Sequence, residues 1–332
     1  MNNTAKNICT HGEPLRAKPR LVVLQAYDPT HTTTLRAQFA AEAARRFRNM
    51  RGLIRKAIID RDCFGLVNPT PDFGVFALPN HREFNFVRSG DKVEAFMEWL
   101  LQQQDLTILE ITQIGQGIES AWTNKYIESA YQKGIVRARN ELRKAGYTTA
   151  DGALIPALET AGAVQVAFNQ PFHIDRAGLL YSRVYSDLKG ITSAMDTQIS
   201  RVLSQGIADG VHPRDLARLL TKTISGPLGD LAIRDSLGKI TMSAERRAKI
   251  LARTEIIRAH HQATIQEYKN WGAEGVKVKA EWTTAGDGRV CERCASREGR
   301  VYTLKEIENK IPLHPQCRCI ALPVDVTDEK EY

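Results

Sequence analysis

The chain has 332 residues, of which 42% are hydrophobic and 25% charged, with a formal charge of +8 and a sequence pI near 9.2. Those are the proportions of an ordinary globular protein long enough for two or three structural units, and the basic balance suits nucleic acid or an acidic protein surface without choosing between them. No run is long and apolar enough to span a membrane, and the N-terminus lacks a signal peptide's basic-then-apolar order, so no membrane partner is expected. The expected setting is the cytoplasm, where clustered cysteines favour metal over disulfide.

Residues 1–20 read as a mobile polar tail. A short apolar run, Leu21 to Leu24, leads to Asp28-Pro29-Thr30, a turn and helix-start signal. In the helix that follows, Leu35, Phe39, Ala43, Phe47, Met50, Ile54 and Ile58 recur at three- and four-residue steps and form one apolar stripe. Arg45, Arg48, Arg51, Arg55 and Lys56 fall largely on the other side, and residues 31–60 carry a net charge of +5. A charge run of this kind is either the solvated face of a core helix or a strip that meets phosphates or an acidic partner.

Residues 64–90 read as loops. Asp91 with Glu94 three positions later predicts a helix N-terminus, followed by Val93, Phe96, Met97, Leu100 and Leu101 at helical spacing. A third helix is expected from Glu119 to Ala145, packing through Trp122, Tyr126, Ala130, Ile135 and Leu142, with Gly146 as its cap. Turn signals at Thr148–Gly152 and Asn169–Pro171 break the helical pattern, and the domain boundary is placed at 147/148. A helix over Thr192–Ile207 and another opened by Pro213 follow, then a loop at Ser225–Gly229.

The longest helix of the second half is expected from Ser243 to Trp271-Gly272, with Ile250, Thr254, Ile257, His261, Ile265 and Tyr268 on one face. Within it, Arg253 and Glu255 read as a salt-bridged pair holding the helix to its neighbours. His260 and His261 point about a hundred degrees apart on a helix and do not suit a common metal. Val276, Val278, Ala280 and Trp282 alternate with charged residues as a half-buried strand, and Thr303 to Glu306 is a capping box. Ile320, Leu322 and Val324 suggest a closing strand, and residues 326–332 an acidic tail.

Four of six cysteines fall in one window, Cys291-Glu-Arg-Cys294 and His314-Pro-Gln-Cys317-Arg-Cys319. One pair can place two thiolates on a metal from a single turn, and the second group can complete a tetrahedral shell. Five donors compete for four positions: Cys291, Cys294, His314 and Cys317 form one set, and four thiolates form the other. One structural zinc ion is the expected cofactor, since a small domain rarely stabilises itself by core alone. Cys9 and Cys63 are isolated and read as a tail thiol and a small buried hydrophobe. No nucleophile–base–acid set is visible, so no enzyme is expected. A metal-dependent hydrolase would need an open metal position beside a carboxylate such as Asp287 or Glu292.

Trp282, Asp287-Gly-Arg-Val-Cys291-Glu-Arg-Cys294, Gly299 and Leu313-His-Pro-Gln-Cys317-Arg-Cys319 resemble the signature of the phage Mu F-like head morphogenesis family, the minor capsid or minor head proteins of tailed bacteriophages. Ala252-Arg-Thr-Glu255, Tyr268 and Gly272 also resemble that family, as do Asp28-Pro-Thr30 and the stretch from Tyr126 to Gly134. The resemblance implies a helical N-terminal region over 21–147 and a Mu F-like domain over 148–325. The fold class is then mainly α with a small α+β C-terminal domain, containing a short sheet and a Cys/His-clasped loop region. It further implies a virion protein at the portal vertex, assembled in the host cytoplasm and involved in head assembly, DNA packaging and DNA ejection. Its expected partners are the portal protein, the major capsid or scaffolding protein and phage DNA. Some relatives carry toxin enzymes beyond this domain; with so little chain after Cys319, none is expected here. The alternative is a zinc-clasped nucleic-acid-binding protein of the host cytoplasm.

Overall fold

The computed structural model describes residues 28–66, 89–114, 118–225 and 242–325. The tail at 1–20 with Cys9, the run Leu21–Leu24, the loop region beyond residue 66, most of the loop at 225–229 and the acidic tail lie outside them. Among the described residues the fold is mainly α, with a two-stranded hairpin and a three-stranded antiparallel sheet near the C-terminus. No helix among them is long and apolar enough to cross a membrane. Two compact units interleave along the chain instead of following one another across residue 147. Among the described residues, one combines those within 28–31, 132–168 and 260–325; the other combines those within 32–131 and 169–259.

The second of these units is a helical cluster. Helix α1 (Thr33–Arg55) continues into a π-helical turn at Lys56–Asp60, and α2 (Ser89–Gln104) continues likewise at Asp105–Leu109. The predicted stripe of α1 is buried from Phe39 to Ile58, and Leu35 is half-buried at its start. Phe47, Met50 and Ile54 pack with Phe96 and Leu100 of α2 in one core, each such side chain contributing roughly 1.5–3 kcal/mol of burial. Asp91 lies in the first turn of α2, since the helix already begins at Ser89. Strands β1 (Ile111–Ile114) and β2 (Ile118–Ala121) pair in register Ile111↔Ala121 to Ile114↔Ile118. The third helix, α3 (Asn124–Lys144), therefore starts five residues later than Glu119, because residues 118–121 are spent on the hairpin.

Helix α5 (Pro171–Ala208) runs for 38 residues and absorbs the expected helix at 192–207 as its second half. Pro171, read as a breaker, occupies the first turn, where its missing N–H costs nothing. Leu188, Ile191, Met195, Ile199 and Leu203 enter the same core, as do Leu216 and Leu220 of α6 (Pro213–Ile224).

Helix α7 (Ala244–Ala273) contributes to both units, as does α3. The expectation of one buried face fails between Glu255 and Tyr268, where polar residues are buried as well: Glu255, His260, His261, Gln262, Thr264 and Glu267. Each polar group needs a partner there. In the first-named unit, His261 Nε2 lies 3.0 Å from the Ile307 carbonyl, and Gln262 donates to Glu308 O at 2.9 Å and Asn309 Oδ1 at 3.2 Å. Arg139 of α3 donates to Glu267 at 2.5 Å, and Trp271 donates to the same oxygen at 2.9 Å.

The sheet of this unit has the order β4-β3-β5, with β3 (Val278–Thr283) central, β4 (Val301–Tyr302) and β5 (Ile320–Asp325) at its edges. Trp282 is fully buried in β3, opposite Ala321, and its backbone N–H donates to Arg300 O at 2.8 Å. Strand β5 forms where Ile320, Leu322 and Val324 suggested a closing strand; Ile320, Ala321 and Pro323 are buried along it, with Leu322 and Val324 half-exposed. Pro323 is tolerated because β5 is an edge.

Two sites give sharp expectations. A Cβ at Gly134 would collide with the carbonyl oxygen of His260 and stand 2.7 Å from Ala263 Cβ, whereas one at Gly190 of α5 would meet nothing within 4 Å. Chemical denaturation should show Gly134→Ala losing about 1–3 kcal/mol and Gly190→Ala gaining up to about 1 kcal/mol. Burial, followed by the charge of Arg137, pushes the His260 imidazole down to about 3. The unfolded chain then binds this proton first, so stability is full above pH 6.5 and falls as pH drops toward 3. The histidine's share of the loss between pH 7 and pH 5 should be about 2 kcal/mol in thermal or urea unfolding, and His260→Gln should remove that share of the slope.

Candidate metal centre and basic strip

The Cys/His window folds as two tight turns at one end of the sheet. After β3 the chain turns through Gly286, in the left-handed region at φ +64°, where a side chain would be strained. Cys291 then caps the one-turn helix α8 (Glu292–Ala295), and the Cys294 N–H donates back to Cys291 O at 3.0 Å. The chain returns through Gly299 and β4 into α9 (Leu304–Ile307), opened by the expected capping box: Thr303 Oγ1 accepts from Glu306 N, and the Glu306 carboxylate accepts from Thr303 N. The second turn is His314 to Cys317, closed by Cys317 N–H donating to His314 O at 3.1 Å.

These turns, with Cys319 just beyond the second, bring the five predicted donors into two groups that share Cys294. His314 Nε2 lies 3.2 Å from Cys291 Sγ and 3.1 Å from Cys294 Sγ, and the sulfurs of Cys294 and Cys317 are 3.9 Å apart. Donor atoms within 4.8 Å of one another form two triads sharing Cys294: Cys291–Cys294–His314 and Cys294–Cys317–Cys319. Tetrahedral zinc would set S···S edges of ~3.8 Å and S···N edges of ~3.5 Å; the three separations above come close to these, and the donors are soft, while no set of four lies mutually within 4.8 Å among the described residues. His314 Nδ1 lies 2.8 Å from the Pro315 carbonyl. An oxygen acceptor requires the proton on Nδ1, which leaves the Nε2 lone pair facing the thiols.

Hydrogen bonds from the Cys319 side chain and backbone lower the Cys317 thiol to about 5 against the effect of burial, and the same side-chain bond raises Cys319. Burial and then the Cys317 charge push Cys294 up to about 12. Cys63 lies buried in the helical unit and is likewise pushed up to about 12, chiefly by burial, as an unreactive core thiol would be.

A clamp that sequence reasoning missed joins the two turns. Arg318, between the last two cysteines, donates to both carboxylate oxygens of Asp287 at 2.7 and 2.6 Å, and Arg289 adds a further bond to Asp287 at 2.9 Å. The Arg318 hydrogen bonds hold the Asp287 carboxyl well below the usual carboxylate range. Asp287 therefore serves as an anchor for the two turns. Glu292, the other carboxylate considered, sits exposed in the first turn of α8.

The basic strip belongs to the helical unit. Arg45, Arg48, Arg51, Arg55 and Lys56 are all exposed. Arg45 lies 3.6 Å from Glu42, Arg48 pairs with Glu245 at 3.3 Å, and Arg51 donates to Ser225 at 3.0 Å. Two of the five thus also fasten α1 to other elements of its unit. Arg46, passed over in the sequence, is the buried member: it binds Glu42 and Glu110 and lies 4.3 Å over the Trp122 ring. Glu255 is held by Arg258 at 3.1 Å and Arg183 at 3.5 Å, which corrects the expected pairing with Arg253. Arg253 and Glu255 are two positions apart, so their side chains leave the helix on different sides, and Arg253 is exposed.

Replacing Asp287 with Asn removes the charge that Arg318 grips, and hydrogen exchange at residues 286–291 should quicken while exchange in α7 stays unchanged.

Residues 197–322 match the family model described as Phage Mu protein F like protein. No curated protein and no solved structure matches the chain. The matched segment takes in the last third of α5, α6, α7, strands β3 and β4, the first half of β5 and all five donors of the cluster. Over residues 197–322 the chain is thus similar to the family described as Phage Mu protein F like protein.

Proposed function

We propose that the chain is a minor head protein of a tailed bacteriophage, structural and without enzymatic activity, carried in the virion at the portal vertex after assembly in the host cytoplasm. The family match over residues 197–322 carries this reading. The Cys/His cluster would hold one structural zinc ion through four protein ligands, which leaves no open coordination position for catalysis. When bound, the metal would supply cross-linking of the two turns and stability to the small sheet. Of the two carboxylates considered, Asp287 is engaged by Arg318, which supports a fastening role for it over hydrolysis.

The partner surface proposed for the portal, with the major capsid or scaffolding protein and packaged DNA as further contacts, is the exposed basic side of α1. Arg55 and Lys56 are its best test because they are exposed at the helix end, whereas Arg48 and Arg51 also hold the fold. Arg55→Glu with Lys56→Glu should leave stability within about 0.5 kcal/mol and weaken portal capture severalfold.

Co-expression with the cognate portal protein, pull-down of either one and assay of bound zinc tests the whole reading. Stoichiometric capture with one zinc per chain is the expected result. Capture without zinc would retain the head role and remove the metal. Salt-sensitive binding to free duplex DNA with no portal capture would replace the head role by a nucleic-acid-binding one.

A further inference from the structure

The five donors exceed what one tetrahedral ion can use, and the geometry distinguishes among them. We infer that the ligands are Cys291, Cys294, His314 and Cys317, with Cys319 standing beside the site as a thiol that supports Cys317 without binding the metal. The inference rests on the zinc reading above and deepens it.

Three observations carry it. First, the four proposed ligands occupy the first and fourth positions of two turns, each closed by an N–H from the fourth residue to the carbonyl of the first, at 3.0 Å for Cys291–Cys294 and 3.1 Å for His314–Cys317. In the second turn Pro315 is followed by Gln316 at φ +62°, a left-handed residue in third position after proline, as type II turns require. Cys319 lies outside both turns, next to Ile320, which is already paired with Thr283 in the sheet. Second, three edges of the proposed tetrahedron are formed at contact distance: Cys291–His314, Cys294–His314 and Cys294–Cys317. The four-thiolate alternative would have to expel His314, whose Nε2 is closer to Cys291 and Cys294 than the Cys317 sulfur is to Cys294, and whose ring is held by Pro315. Third, Arg318 points away to Asp287 in a two-pronged bond, bracing the backbone between Cys317 and Cys319 against the turn that leads to Cys291. Cys317 and Cys319 are thereby set side by side, with both sulfurs within 4.8 Å of Cys294, and one of them completes the shell.

The test uses the full-length chain loaded with Co²⁺ or Zn²⁺ under reducing conditions. Cobalt reports tetrahedral geometry through its ligand-field bands and the number of thiolates through its sulfur-to-metal charge-transfer intensity. One cobalt per chain with the intensity of three thiolates is expected; the intensity of four would overturn the assignment. Cys319→Ser, which keeps a donor beside Cys317, should retain one metal per chain with an unchanged spectrum and at most about a tenfold loss of affinity in chelator competition. Cys317→Ser should lose more affinity than that and change the spectrum. Loss of the metal in Cys319→Ser with retention in His314→Ala would establish the four-thiolate set instead. A wild-type chain that binds neither ion would remove the zinc reading itself, an outcome distinct from a wrong choice of ligands. Because the wild-type spectrum alone counts thiolates, the exclusion of the four-thiolate set stays testable even if the ligand variants fail to fold, and the comparison of Cys317→Ser with Cys319→Ser decides which of the two completes the shell.

Discussion

A helix buried on all sides must find partners for its polar side chains, and this requirement shapes the unit that contains the Cys/His cluster. From His260 onward α7 presents histidines, glutamine, threonine and glutamate to an interior where an unpaired polar group costs about 1–3 kcal/mol. The partners come from all around it: the carbonyls of Ile307 and Glu308 at the end of α9, and Arg139 on α3. Gly134 on α3 allows the close backbone approach at His260 that the helix pair requires. Polar satisfaction thus positions α9 and the chain that follows it, and the second turn of the cluster lies on that chain.

The cluster is in turn a set of short-range devices. Each element of it is small: a one-turn helix, a two-residue strand, a capping box and a left-handed glutamine. None is stable by itself, since a single helical turn fixes several dihedral angles for one hydrogen bond. The Asp287–Arg318 pair and the converging donors supply the long-range links between them.

Much of this was legible in the sequence where local chemistry decides structure. The alternation around Trp282, the Thr303–Glu306 capping box, Pro213 at the first turn of α6 and Gly146 after α3 all act within a few residues, and all are present. The apolar stripe of α1 was equally clear because its other side is charged. Legibility failed where tertiary context overrides pattern. The first half of α5 leaves Phe172, Ile174 and Leu179 exposed, which blurs its periodicity, and Pro171 signals a break and a helix start alike. The four-residue strands of the hairpin are too short to show alternation. The polar burial of α7 depends on partners remote in sequence. At the cluster the five donors stood out by spacing alone, while the arginine clamp did not, because Asp287 and Arg318 are separated by thirty-one positions.

The interleaved order of the units bears on how the chain can be made. The helical unit draws its last segment from residues up to 259, so everything it needs has been synthesised by then. The other unit has residues 132–168 waiting for residues 260–325, which emerge only after about ninety further residues, an interval on the order of 5–20 s at ordinary translation speeds. During that interval α3 lacks the part of α7 that approaches it at Gly134 and Arg139. The unit that holds the Cys/His cluster is therefore completed after the helical one, since its strand β5 follows Cys319 in the chain and pairs with β3.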